Sequence, residues 1–161
     1  KETLPHPQEA EEPGLPNGGA VELSPHNGYP GIRISFLDRN GNVPKRSGLN
    51  WGQRPEYNRA RNQAYIRVPA VVQRMEFFPP RYSHFIMQDR VDENNIFLSV
   101  VAQENGKAIE SSENNELIGI YVRERLGVKL GAPVTLEDCE HYGKTYLDFY
   151  KVDDETYIIN F

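Results

Sequence analysis

From Gly31 onward the chain is patterned mainly with a period of two. Ile32, Ile34 and Phe36 alternate with Arg33 and Ser35, which predicts a half-buried strand. Residues 64–68 alternate in the same way. Residues 83–88 and 95–102 form the next two strands, joined by a polar turn over residues 89–94. Residues 108–111 pair back across 103–107, where Asn105-Gly106 suits a tight turn. Residues 145–152 and 156–161 predict a terminal hairpin around Asp153-Asp154, and residues 134–139 read as a strand or short turn.

Two stretches follow the helical period instead. One spans residues 69–78, with Pro69 at its first position, Val72, Met75 and Val71 toward the core, and Pro79-Pro80 as its stop. The other starts at a cap on Ser112 or Asn114 and runs to Leu126. Its apolar stripe is Leu117, Ile118, Tyr121, Val122 and Leu126, and Gly127 ends it. About seven short strands and two short helices, without regular βα alternation, argue against parallel βαβ units. They predict a mainly β, open antiparallel barrel-like sheet flanked by two short α-helices.

Residues 1–30 hold six of the twelve prolines, four of the thirteen glycines and five glutamates against Lys1. This composition predicts an acidic, extended linker, with solvated His6 and His26 and a domain boundary near Tyr29, so residues 31–161 are the expected domain. A chain that starts at Lys1 rather than Met is expected to be a fragment of something longer. The single cysteine, Cys139, rules out an internal disulfide and a cysteine-based zinc site, and suits a reducing cytoplasm. No apolar run is long enough to span a bilayer.

Charge changes the picture at one place. The net charge is -5, yet residues 39–61 carry Arg39, Lys45, Arg46, Arg54, Arg59 and Arg61 against Glu56 alone. That is six minus one, or +5. Gly41, Pro44, Gly48, Gly52 and Pro55 deny the stretch a helix or strand, so it is a long, shaped loop. Trp51, the only tryptophan, sits in its middle and is read as an anchor to the domain. Asn, Gln and Arg are the residue types that read base edges in the major groove. The loop supplies Asn50, Gln53, Arg54, Asn58, Arg59, Arg61, Asn62 and Gln63, and the hairpin turn adds Gln103, Asn105 and Lys107. If both loops leave the same end of the sheet, they form a two-armed clamp of major-groove width.

Catalytic patterns are sparse. The chain has no P-loop, His-Glu-x-x-His, Gly-x-Ser-x-Gly or Glu-x-Lys motif, and His141-Tyr142-Gly143-Lys144 is not the phospholipase-D-type His-x-Lys pattern. Cys139 and His141 are weighed as a nucleophilic pair against a buried thiol beside a surface histidine, and the second reading is preferred. His84 is read as a sheet residue.

Residues 48–54, Gly-Leu-Asn-Trp-Gly-Gln-Arg, are followed by Asn62-Gln63-Ala64-Tyr65-Ile66 and Val68-Pro69. Phe77-Phe78-Pro79, Gly106-Lys107-Ala108-Ile109, Leu126-Gly127-Val128 and the final Tyr157-Ile158-Ile159-Asn160-Phe161 continue the pattern. Together these resemble the C-terminal domain of the NgoFVII-type restriction endonucleases over roughly residues 31–161. The resemblance implies a seven-stranded DNA-binding pseudobarrel of the B3 type, gripping the major groove of double-stranded DNA with an N-arm, matching residues 45–63, and a C-arm, matching 103–107.

It also implies a non-catalytic recognition domain whose phospholipase-D-like nuclease partner, metal-independent, lies N-terminal and is not matched here. No cofactor, metal or membrane is implied, the isolated domain is expected to be a monomer, and the compartment is the prokaryotic cytoplasm. Arg54, Arg59 and Arg61 become candidates for bidentate contacts to guanine. Asn50, Gln53, Asn58, Asn62, Gln63, Gln103 and Asn105 become candidates for bases or phosphates, and Lys45, Arg46 and Lys107 for phosphates. The rivals are a single-strand DNA or RNA-binding barrel, which would stack bases on exposed aromatics such as Tyr65, Tyr82 or Tyr121, and an enzyme built on Cys139 and His141.

Overall fold

A computed structural model describes residues 15–103 and 106–161. Its centre is one open sheet of eight strands in the order β1-β2-β7-β8-β4-β5-β6-β3. The strands are β1 (Ala20–His26), β2 (Tyr29–Ser35), β3 (Ile66–Arg67), β4 (His84–Asp89), β5 (Ile96–Ala102), β6 (Ala108–Ser111), β7 (Tyr146–Asp153) and β8 (Thr156–Asn160). Three α-helices accompany them: α1 (Ala70–Met75), α2 (Leu117–Leu126) and α3 (Leu136–Tyr142). The expected mainly β architecture is present, as an open sheet consistent with a pseudobarrel.

Five features differ from the sequence reading. The sheet starts inside the segment whose composition reads as a linker. β1 pairs antiparallel with β2 across Asn27 and Gly28, both at positive φ (53° and 80°), the geometry of a two-residue Asn-Gly hairpin turn. β1 is an edge strand that buries only Leu23 and carries Pro25, so its composition is that of a solvated edge. Secondly, the sheet is not wholly antiparallel, because β4 pairs with β8 in parallel register, Met87 opposite Tyr157.

Thirdly, residues 134–139 begin a helix rather than a strand. Thr135 and Asp138 form a reciprocal capping box at the start of α3, and Gly143 ends it at φ 101°. Lastly, α1 buries only Val72. Val71 and Met75 stay exposed, because a helix of six residues presents one narrow face. The predicted strand at 64–68 shrinks to Ile66–Arg67.

The inward faces of the central strands carry Ile32, Ile34, Phe85, Met87, Leu147, Phe149, Tyr157 and Ile159, all buried. Phe78 packs edge-on against Phe149 at 5.1 Å and beside Tyr157 at 5.3 Å. The hydroxyl of Tyr157 donates to the Phe77 carbonyl at 2.7 Å, which satisfies the one polar atom in that aromatic layer. Ile118, Tyr121 and Val122 of α2 also join the core. β6 and β3 form the other edge of the sheet, and the long cationic loop and the shorter loop between β5 and β6 connect there.

Candidate nucleic-acid interface

The long loop between β2 and β3 is ordered by its own backbone. Asp38 closes its first bend by accepting from the N–H groups of Asn40 and Asn42. Gly52 N donates to Gln63 O at 2.9 Å and Tyr65 N to Gly48 O at 3.1 Å, so residues 48–52 and 63–65 run side by side. The chain makes two single 3₁₀ turns here, Gly48–Asn50 within the first segment and Pro55–Tyr57 between the two. The close approach needs glycine: a Cβ on Gly52 would lie 2.2 Å from the Ala60 carbonyl oxygen.

Beneath the loop, Asn50 is buried, at 1% exposure. Its Nδ2 donates to the carbonyls of Pro44 and Val134, both at 2.8 Å, and its Oδ1 accepts from Val134 N at 2.7 Å. Gln53 Nε2 donates to the carbonyls of Arg61 (2.9 Å) and Gly131 (3.2 Å). Asn62 Oδ1 accepts from Gly131 N at 2.6 Å. From α2, the fully buried Arg123 donates to the carbonyls of Ala132 (2.8 Å), Gly119 (3.2 Å) and Leu49 (3.2 Å). Burial pushes its pKa down, partly offset by the charge of Glu116. Gly119 lets the loop touch the helix, since a Cβ there would lie 1.8 Å from the Asn62 carbonyl oxygen.

Asn50 therefore has no face for a ligand. Its amide is used inside the domain. Gln53 and Asn62 are half-buried and spend hydrogen bonds on the loop between α2 and α3, so they shape the arm from below. The cations stand elsewhere. Lys45, Arg46 and Arg61 are exposed, as are Arg39 and Asn58, which sits at φ 51° beyond the second turn. Arg46 is ion-paired with Glu56, and Arg54 Nε donates to the Arg46 carbonyl at 2.7 Å.

Trp51 acts as an anchor, edge-on to Tyr65 at 5.4 Å, while the Arg59 guanidinium lies over its ring at 4.4 Å. Arg59 Nη1 donates to Gln63 Oε1 at 3.3 Å, and its Nε is buried without an acceptor.

The second loop joins β5 to β6. Asn105 lies outside the described residues; Gln103 is half-buried at φ 67° and Lys107 is exposed. Val68 N donates to Lys107 O at 2.7 Å, so this loop abuts the two-residue β3–β6 ladder at the end opposite the long loop's return. Glu110 on β6, opposite Val100 of β5, is half-buried. Burial pushes its carboxyl pKa up, offset by a hydrogen bond with Gln103 and by the charge of Arg59.

Sequence reasoning missed Arg123, Gly119 and Glu110. Gly119 and Arg123 are four residues apart on one helix face, a spacing that placed them together, and Glu110 interrupts a strand pattern just after the shorter loop. Away from the loops, Cys139 is fully buried and its thiol is pushed up to about 11 by burial and the nearby Asp138 and Glu140, while His141 is exposed. A thiol so hard to ionise is a poor nucleophile at neutral pH. Among the described residues no group of three or more His, Cys, Asp or Glu is placed to hold a metal ion, and no helix is long and apolar enough to cross a membrane.

An open sheet with two cation-bearing loops at one edge has the form of a DNA-binding pseudobarrel. The model of one family, the NgoFVII C-terminal B3-like DNA-binding domain, matches residues 25–153, and the chain belongs to that family of restriction-enzyme DNA-binding domains. β1 lies almost wholly outside the match. No curated protein matches the chain.

Proposed function

We propose that this domain binds double-stranded DNA sequence-specifically through the major groove, using the long loop as N-arm and residues 103–107 as C-arm. The observation that carries the reading is the concentration of +5 in residues 39–61 of a chain of net charge -5, on a loop that the fold holds in one shape. Lys45, Arg46 and Lys107 contact phosphates. Arg54, Arg59 and Arg61 are the guanine readers, and Asn58, Gln63, Gln103 and Asn105 add contacts to bases or phosphates. Gln53 and Asn62 contribute mainly by shaping the arm.

On this reading the chain is the target-recognition part of a type II restriction endonuclease and has no catalytic role. Its nuclease is a separate phospholipase-D-like domain. The run Leu49–Arg54 also points to kinship with the NgoAVII restriction endonuclease. The domain acts as a monomer in the cytoplasm and needs no cofactor. Competition between a duplex and its separated strands tests the reading: duplex should bind at least about tenfold tighter, and preference for single strands would replace it with a single-strand-binding barrel.

A further inference from the structure

We infer that Arg39 and Arg67 form a phosphate-binding site at the seam of the open sheet, holding the DNA backbone between the two arms; the inference rests on the DNA-binding reading above. β1 and β3 are the two outer edges of the sheet. A side chain spans the gap between them. Arg67, on β3, donates from Nη1 to the carbonyl of Gly18 at 2.6 Å, two residues before β1 begins. Gly18 in turn lies against the long loop: a Cβ there would stand 3.4 Å from Arg39 N and 3.5 Å from Arg39 Cγ. The strap itself is fixed, because Ser35 N donates to Gly19 O and Gly19 N to Pro16 O, both at 3.0 Å. It sets the two arginines around a hollow of about 290 Å³ whose walls include Pro44, Ser47, Leu49 and Tyr65.

Charge selects the occupant. Several arginines nearby are spent on the domain: Arg33 pairs with Asp148, Arg46 with Glu56, and Arg54 and Arg123 bond backbone carbonyls. Arg39 and Arg67 are exposed, and among the described residues neither has an acid partner. Asp38 also lines the hollow, but its Oδ1 is taken by the N–H groups of Asn40 and Asn42. Two guanidinium groups against one committed carboxylate favour an anion, and the planar fork suits phosphate. Position says which anion. Arg67 pairs with Ala108 in the β3–β6 ladder, next to Lys107 of the C-arm, and Arg39 stands at the start of the long loop. Arg39, Arg67 and Lys107 therefore mark a cationic line from one loop to the other. A duplex gripped by both arms lays its backbone along that line, where contacts position the DNA and carry no sequence information.

The experiment titrates the full chain against two duplexes across a salt series: one enriched by the wild type from a random pool, and a scrambled one of the same composition. Arg39→Ala and Arg67→Ala should each remove about one unit from the log–log salt slope, and together about two, equally on both duplexes. Arg67→Lys separates charge from the bond to Gly18. Lysine keeps a cation for the phosphate, so the slope should return to that of the wild type. A residue that only latched the two sheet edges would instead lower the melting temperature and leave the slope unchanged. Arg39 makes no side-chain hydrogen bond among the described residues, so Arg39→Ala should melt like the wild type and tests the site whatever Arg67→Ala does to folding. An unchanged slope in either single variant, or a loss confined to the enriched duplex, would overturn the inference while leaving the DNA-binding reading intact. A wild type that binds no duplex overturns both.

Discussion

Helix α2 carries two arginine networks, on the buried Arg123 and the half-buried Arg125, and they are made of different chemistry. Two residues apart on a helix, the side chains leave on different sides. Arg123 turns to the N-arm and is satisfied by backbone carbonyls from Leu49, Gly119 and Ala132. Arg125 turns to the sheet, where it ion-pairs with Asp89 and donates to the Phe161 carbonyl at 3.1 Å. Asp89 also accepts from the Tyr121 hydroxyl at 2.6 Å and from Asp92 N at 2.8 Å. The first network holds the shape of the long loop and the second ties helix to sheet. A carbonyl cage has no titrating partner, whereas the ion pair has one, Asp89, in the acid range. Loop shape and domain stability should therefore respond to different perturbations.

The largest expected effect is at Arg123. Arg123→Met keeps bulk but strands several buried carbonyls, for a loss of about 3 kcal/mol in urea unfolding. DNA binding should fall well below wild type even where the variant is folded, because the Leu49–Asn50 segment loses its tie to α2. Gly119→Ala, which drives a Cβ into the Asn62 carbonyl, should act in the same direction. If either variant, once folded, binds DNA like the wild type, the root of the loop does not set its shape.

Asp89→Asn is the contrasting break, with a stability loss of about 2 kcal/mol at pH 7 and DNA affinity little changed while folded. Burial pushes the Asp89 carboxyl up, but the hydrogen bonds from Tyr121 and Asp92 and the charge and hydrogen bond of Arg125 outweigh it and hold the pKa below its usual value. With the folded pKa depressed, the contribution is fully present above the unfolded value of about 3.9 and is lost as pH falls through the folded one. Urea unfolding at pH 7, 5 and 3 should show the gap between wild type and Asp89→Asn closing toward pH 3. A gap that stays constant would mean that the pair is not ionic.

Smaller effects belong to the outer side of the same loop. At least one of Arg54→Ala, Arg59→Ala and Arg61→Ala should weaken an enriched duplex by roughly 1–3 kcal/mol and relax selection at one base position, with only a general charge effect on a scrambled duplex. Arg→Lys at that position should keep nonspecific binding and lose discrimination, because lysine lacks the planar fork. The smallest effects are at Lys45, Arg46 and Lys107, where alanine should each remove about one unit from the log–log salt slope on every duplex. For Arg46 a smaller change would indicate that its pair with Glu56 persists on DNA.

What was legible in the sequence follows from what is local. Period-two alternation located β2, β4, β5, β6 and the β7–β8 hairpin, and a charge count located the long cationic loop, since each signal is carried by neighbouring residues. β1 was hidden because an edge strand is solvated on most of its surface, although Asn27-Gly28 marked its turn. α3 was hidden behind Val134, although Thr135 and Asp138 spelled its cap. Within the arm, residue type did not separate Asn50 from Asn58. One has its amide satisfied by Val134, more than eighty residues away in sequence, and the other is exposed at a turn. That distinction exists only once α2 and the loop after it have packed, and the same packing reveals Arg123 and Gly119.

The central claim is that a rigidly held cationic loop reads duplex sequence, and selection from a random duplex pool tests it most directly. Purified domain should enrich one short, guanine-containing motif over several rounds at physiological salt. Arg54→Ala, Arg59→Ala and Arg61→Ala combined should abolish that enrichment while the protein stays folded. A pool that remains random under wild-type selection, or a motif that survives all three substitutions unchanged, would contradict the account.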